Sequence, residues 1–241
     1  MKDAIIVLGG AFNPVHTQHI ALLSLAREQL ENSGKWKILG GYLAVSTDGY
    51  VRHKLQSRNE RTIKIEHRLG LVKEAIKDVP WLRDSPFQDE MLKRAYGSAF
   101  ELSQRLIRLL NNDRIQILIL IGADRMVKKG VPIWRRSSSN RISTIRVGIE
   151  RTMDENINLF QLWQDDLKKN LIPNPREFLL LDIPLRSVSS TIVRTHLQQW
   201  FYSSDNNKII IENDLVNNNS YLHLNVMNYI NIHQNDLYID T

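Results

Sequence analysis

Two histidines, His16 and His19, stand three residues apart where a short turn gives way to an apolar, helix-like run. The turn reads Gly9-Gly10-Ala11-Phe12-Asn13-Pro14-Val15-His16-Thr17-Gln18-His19. Three residues at the start of a helix are close to one turn, so both imidazoles can face the same group. The glycines let backbone come near that group, and the first N–H groups of a helix have no partner within it. Backbone donors, a positive helix end and two imidazoles together suit an anion, above all a phosphate. A zinc pair is the competing chemistry, but no third ligand lies nearby in sequence. A helix-capping histidine is the remaining reading.

A second cluster has the same character. In Val188-Ser189-Ser190-Thr191-Ile192-Val193-Arg194, three hydroxyl residues precede an arginine one turn on. Taken alone, the hydroxyls are explained by capping. With Arg194 beside them, the same helix start can hold phosphate oxygens.

These residues need a scaffold that brings them to one edge. Ala4-Ile5-Ile6-Val7-Leu8 is an unbroken apolar run and predicts a buried strand, and Ile20 to Leu30 predicts an amphipathic helix. Trp36 to Ser46 predicts a second strand, with a polar, basic loop from Thr47 to Leu55 after it. Helical spacing predicts helices from about Asn59 to Lys77 and from about Glu90 to Leu110. Ile115 to Ile121 is the clearest strand, apolar throughout as at the centre of a parallel sheet. Gly122-Ala123-Asp124 follows it, and a basic loop carrying Trp134 comes next. A strand near Ile142–Ile149, a helix near Glu155–Leu167, a strand at Glu177–Leu181 and a helix opening at Ser190 complete the pattern. Strands alternating with helices predict an α/β fold, a doubly wound, Rossmann-like parallel sheet with ligands at the carboxyl ends of its strands. Beyond Tyr202 an Asn-rich stretch reads as a flexible insertion, followed by a docking helix within Tyr221 to Tyr238.

Bulk properties narrow the class. The chain has 241 residues, 42% of them hydrophobic, enough for a sizeable core. It has no cysteine, which excludes disulfides and thiolate metal sites. No targeting segment or membrane-length apolar run is visible, so the expectation is an intracellular protein, cytoplasmic or nuclear. The net charge of +6 arises from 32 basic and 26 acidic residues. It fits a pocket for polyphosphates or simply a basic surface. Without a basic block or an RNA-binding signature, neither nucleic acid nor membrane is expected as a partner; a homo-oligomer is left open.

The turn resembles the signature of the cytidylyltransferase-like nucleotidyltransferase superfamily, Gly-x-Phe-(Asn or Asp)-Pro followed by (His or Thr)-x-x-His. Val188 to Arg194 resembles its second signature, Ile-Ser-Ser-Thr-x-(Ile or Leu)-Arg. Further points are similar to nicotinamide/nicotinate mononucleotide adenylyltransferases. These are Gly122-Ala123-Asp124, the Val131-Pro132-Ile133-Trp134 segment, the loop carrying Lys54, and Glu150-Arg151-Thr152. Gln18 stands where many members have glycine, Met153 where the adenylyltransferases have glycine, and Asp84-Ser85-Pro86-Phe87 where they have Asp-Thr-Trp-Glu.

The resemblance implies a nucleotidyltransferase domain over residues 1–202, with 203–241 as the Asn-rich segment and docking helix. It implies adenylyl transfer from ATP to nicotinamide or nicotinate mononucleotide, as in NAD biosynthesis, with Mg²⁺ bound through the ATP phosphates. Another phosphorylated small-molecule acceptor, or nucleotide binding without turnover, are the alternatives. His16, His19 and Arg194 are the implied catalytic residues. Gly9, Gly10, Ala11, Phe12, Ser189, Ser190 and Thr191 would bind ATP. Lys54, Gly122, Asp124, Trp134 and Arg151 would bind the acceptor, Trp134 by stacking on its ring. Read from residue type alone, a solvated Lys54 and a Trp134 packed beneath its loop are close competitors. A dehydrogenase is disfavoured because Gly-x-Gly-x-x-Gly does not follow the first strand.

Overall fold

The computed structural model describes residues 1–56, 60–84, 98–136, 144–151, 158–185, 190–218 and 220–239. Strand β1 (Lys2–Gly10) is followed by helix α1 (Thr17–Asn32), β2 (Trp36–Val45), α2 (Asp48–Gln56) and α3 (Ile65–Ala75). Next come β3 (Leu82–Asp84), α4 (Ala99–Leu110) and β4 (Gln116–Gly122). A one-turn helix α5 (Ala123–Met126), the short strands β5 (Val127–Lys128) and β6 (Val131–Pro132), and β7 (Thr144–Arg151) follow. The chain continues through α6 (Leu159–Lys168), β8 (Phe178–Ile183), α7 (Ser190–Phe201), α8 (Asp205–Asn213) and α9 (Leu224–Ile232).

Six strands form one sheet in the order β3-β2-β1-β4-β7-β8, the α/β, Rossmann-like arrangement. The pairs β1–β4, β4–β7 and β7–β8 are parallel, with Ile6 opposite Leu118 and Leu120 opposite Val147. Ala4–Leu8 and Ile117–Leu120 are buried residue after residue, as strands covered on both faces must be.

Contacts divide the chain into two compact units. The first comprises Met1–Gly9, Leu22–Tyr42 and Ala99–Ser187; the second comprises Gly10–Ala21, Leu43–Ser98 and Val188–Thr241. In the second unit, the expected loop at 47–55 is instead α2. Val51 and Leu55, four residues apart, are its buried stripe. The expected helix from Asn59 begins later, at Ile65. The Asn-rich stretch is largely helical as well, as α8 and a π-helical turn at Asp214–Asn218 whose Leu215 is buried. Helix α9 buries Val226, Met227 and Ile230, and Tyr229 packs where Gly70 of α3 has no Cβ. After α9, Ile63 and Tyr238 form an antiparallel bridge.

In the first unit, β5 and β6 pair across Lys129-Gly130, which have φ of 52° and 72°. Two successive positive φ values are the requirement of a type I′ hairpin turn, and glycine meets it without strain. Trp134 then enters a core of Met126, Leu159, Ile172 and Phe178. Its ring is 0% exposed and meets Trp163 edge to face at 5.3 Å. Its Nε1–H donates to Asp166 Oδ2 at 2.8 Å, and Arg135 donates to both oxygens of the same carboxylate at 2.6 Å.

Asp166 is buried, and the Arg135 guanidinium holds its carboxyl below the usual carboxylate range; burial opposes this and the Trp134 hydrogen bond aids it. A carboxylate lowered by folding contributes stability that is complete above its unfolded pKa, about 4, and is lost as pH falls through the folded value. Asp166→Asn is therefore expected to unfold at lower urea than the wild type at pH 7. The gap should narrow as pH drops below about 4. A gap unchanged from pH 7 to acid would show that the charge of Asp166 contributes nothing.

Candidate active site

The second unit contains the turn that follows β1. Phe12 takes a left-handed conformation, φ 44°, and its ring is buried against the edge of His19 at 4.9 Å between centroids. A Cβ on Gly10 would lie 3.0 Å from the Phe12 ring, tight enough that the ring would have to give way. The carbonyl of Gly10 accepts from Ser46 N–H at 2.9 Å, tying the turn to the end of β2. The Asn13 side chain bridges to the segment before α3, accepting from Ile63 N–H at 2.8 Å and donating to Arg61 O at 3.1 Å. Thr17 fixes the start of α1 to the segment before α9 through Ser220 O and Tyr221 O.

The two histidines are brought together. Their rings lie 3.7 Å apart at 31°, and His16 N–H donates to His19 Nδ1 at 3.1 Å. A neutral His19 therefore carries its proton on Nε2. His16 is 5% exposed, and its Nε2 lies 3.2 Å from Ser190 Oγ at the start of α7. One turn along α7, Arg194 donates to Thr191 Oγ1 at 3.0 Å and to Asn13 O at 3.4 Å. Its charge is balanced by Glu60, whose Oε2 is 2.7 Å from Nη2 and 2.8 Å from Nε. The two signature segments, 174 residues apart at the His16–Ser190 contact, thus form one constellation.

Behind it stands Arg68 of α3, with a fully buried side chain. Its Nη1 donates to Ala11 O at 2.9 Å and also to Ser46 O, its Nε donates to Ile63 O at 2.9 Å, and its Nη2 pairs with Asp48 at 2.6 Å. Burial pulls the guanidinium below its ordinary pKa, and the Asp48 carboxylate opposes this. Sequence reasoning missed Arg68, Asp48 and Glu60. One signal for Arg68 was available: it falls on the apolar stripe of α3, three residues after Ile65 and four before Val72.

A cleft beside α7 is lined by Glu60, Arg61, Arg194, Phe201, Tyr202 and Tyr238. The Arg61 guanidinium lies over the Tyr238 ring at 4.0 Å. Burial pushes the Tyr238 hydroxyl up to about 12, with Arg61 acting against it.

The remaining expected residues distribute as follows. Gly10, Ala11, Phe12, Ser190 and Thr191 belong to the second unit with the histidines, and Ser189 lies outside the described residues. Lys54 is exposed on α2. Gly9 ends the β1 portion of the first unit, where a Cβ would meet Ala99 at 2.8 Å. In that unit Gly122 closes β4 and exposed Asp124 folds back toward it; a Cβ on Gly122 would lie 2.9 Å from Asp124 Oδ1. Arg151 ends β7, opposite Ile183. Trp134 departs from the expected stacking role, because a ring packed on its faces and hydrogen-bonded at its edge offers no surface to a ligand.

A family model described as cytidylyltransferase-like matches residues 7–196. The chain belongs to that family, the class that its fold and paired signatures define. Among particular relatives, it is 31% identical over 88 residues to nicotinamide/nicotinic acid mononucleotide adenylyltransferase 2 of Xenopus tropicalis, covering 36% of this chain and 26% of that protein. It is 25% identical over 137 residues to nicotinamide/nicotinic acid mononucleotide adenylyltransferase of Arabidopsis thaliana, covering 54% and 53%. With the probable nicotinate-nucleotide adenylyltransferase of Enterococcus faecalis it shares 24% identity over 188 residues, covering 78% and 71%. The chain thus spans about a quarter and about half the length of the first two. Its fold matches that of Plasmodium falciparum nicotinic acid mononucleotide adenylyltransferase complexed with NaAD, with a TM-score of 0.55 at 16% identity over 97% of each chain.

The geometry assigns Arg68 the role of holding the turn. Leaving a buried carbonyl unpaired costs about 1–3 kcal/mol, and lysine cannot reproduce a planar fork of donors. Arg68→Met and Arg68→Lys are both expected to lose stability on that scale in urea unfolding. Wild-type stability in Arg68→Lys would show that a point charge suffices.

Proposed function

We propose that the protein transfers the adenylyl group of ATP to nicotinamide or nicotinate mononucleotide, releasing pyrophosphate. The observation that carries this reading is the 3.2 Å approach of His16 Nε2 to Ser190 Oγ, which joins the turn and the start of α7 into one donor-rich surface. His16, His19, Ser190, Thr191 and Arg194 supply donors to the triphosphate from its two sides. An oxygen of the mononucleotide phosphate attacks the α-phosphorus in line. One P–O bond forms as the bond to the bridging oxygen of the β-phosphate breaks, and pyrophosphate carries away the electron pair.

The attacking phosphate is already an anion, so the reaction needs no general base. The residues must hold two repelling anions in line and neutralise the charge that gathers on the leaving group. His19 donates from Nε2, the tautomer that its Nδ1 contact with the backbone sets. Arg194 is held by Glu60, Asn13 O and Thr191 Oγ1, so its guanidinium is positioned before ATP arrives. Asp48 and Glu60 are each engaged by an arginine, which fits Mg²⁺ arriving on ATP oxygens rather than on a protein carboxylate cage. When bound, that ion would neutralise phosphate charge.

The relatives' names support the mononucleotide as acceptor. The packing of Trp134 favours a second reading with the same chemistry: transfer to another phosphorylated acceptor that needs no ring-stacking group at that position.

Purified protein with ATP and Mg²⁺ should release pyrophosphate and form a dinucleotide with one or both mononucleotides. Turnover only with another phosphorylated acceptor would establish the second reading. His19→Ala and Arg194→Ala should each lower kcat/KM by about 10²–10³ while remaining folded by circular dichroism. Full activity in both variants would contradict the site.

A further inference from the structure

Away from the signature residues, the second unit brings together two histidines and a carboxylate that the proposed reaction does not use. His67 lies on α3 and is buried; His233 and Asp236 lie in the turn after α9 and are progressively more exposed. One ligand atom from each lies within 4.8 Å of the other two. His67 Nε2 is 3.4 Å from Asp236 Oδ2, and His233 Nδ1 is 3.6 Å from Asp236 Oδ1. Ligands around a tetrahedral zinc ion, each about 2.0–2.1 Å from the metal, stand roughly 3.3 Å apart. The two histidine–carboxylate separations are close to such an edge, and the three ligand atoms together lie within 4.8 Å of one another.

The surroundings hold these groups in ligating orientation. Tyr229 OH lies 3.2 Å from His67 Nδ1, and the Tyr229 ring packs on His233, tilted by 34° with centroids 4.3 Å apart. With Nδ1 of His67 engaged, Nε2 is the nitrogen turned toward Asp236, the second-layer arrangement that metal-bound imidazoles require. Gly70 makes this possible, since a Cβ there would collide with the Tyr229 hydroxyl. A simple His–Asp ion pair accounts for one contact at a time. It does not account for two imidazoles from separate elements converging on a single carboxylate, both packed against one tyrosine.

We propose that His67, His233 and Asp236 bind one Zn²⁺ ion, with water as the fourth ligand on the exposed Asp236 side. Two imidazoles and a carboxylate are a borderline-soft donor set that suits zinc rather than Mg²⁺ or Ca²⁺. The ion would staple α3 to the segment after α9. That segment already pairs with the approach to α3, through Lys64 N–H to Leu237 O at 3.0 Å and Ile239 N–H to Thr62 O at 2.9 Å. It also carries Tyr238 into the cleft beside Arg194. The role is structural and independent of which acceptor the enzyme uses.

The test uses the full chain freed of metal by a chelator and studied without ATP or Mg²⁺. Zn²⁺ should bind at one equivalent and raise Tm by roughly 5–10 °C at a hundredfold excess over its dissociation constant. Co²⁺ in its place should give the visible absorption of a tetrahedral nitrogen–oxygen site. Asp236→Ala removes an exposed ligand and should keep the metal-free Tm; both it and His233→Ala should lose the uptake and the Zn²⁺-dependent shift, whereas His19→Ala should retain them. Uptake well below one equivalent in the wild type, a Co²⁺ spectrum without tetrahedral bands, or undiminished binding in the His233 and Asp236 variants would each overturn the proposal.

Discussion

A guanidinium with no access to water must find a partner for nearly every proton it carries, and Arg68 meets that demand with backbone. Three of its partners are carbonyls, those of Ala11, Ser46 and Ile63, and the fourth is the Asp48 carboxylate. Each carbonyl comes from a different stretch of chain: the turn after β1, the end of β2 and the approach to α3. Burying an unpaired charge is prohibitive, so these stretches cannot part without exposing Arg68 or leaving it unsatisfied. One side chain thereby fixes the backbone on which His16 and His19 are mounted. The turn itself holds few apolar groups beyond Phe12 and Val15 that could do so by packing.

The two signature segments rest on that frame. Asn13 adds a second tie to the approach to α3 through Ile63 N–H, and its carbonyl receives Arg194. Glu60, from the same approach, balances Arg194. The arrangement separates two tasks. Arg68 and Asp48 neutralise each other within the scaffold, while Arg194, paired with Glu60, lies with His16 and His19 where the proposed reaction would use them as donors. A site whose donors are already oriented loses little in reorganisation when charge develops on a phosphate, and that is the main lever in the proposed reaction, whose nucleophile is already charged.

Much of this was legible in the sequence because its signals are local. The apolar runs in β1 and β4 admit little besides buried strands. A turn with glycine, proline and paired histidines between a strand and a helix points to an anion by chemistry alone. Where the reading fell short, composition misled. The segment at 47–55 looked like a basic loop because Arg52, His53 and Lys54 outweigh the two residues, Val51 and Leu55, that anchor it as a helix. Asparagines masked α8 in the same way. Trp134 looked available for stacking because its neighbours are basic, yet one of those neighbours, Arg135, joins it on Asp166, a residue 32 positions further on. Glu60 carries no local signature, and Arg68 only its place on the apolar stripe of α3. Their importance lies in partners up to 134 residues away, which only the folded chain brings near.

The central claim is that His16 and His19, held by this frame, meet the ATP triphosphate. Nitrogen-15 NMR of the ring-labelled histidines tests it directly, by titration with an ATP analogue whose α,β-bridge cannot be cleaved. Of the seven histidines, the resonances of His16 and His19, assigned by substitution, should move together and saturate with the analogue, while that of the exposed His53 stays in place. Saturable binding that leaves the His16 and His19 signals unmoved would contradict the account.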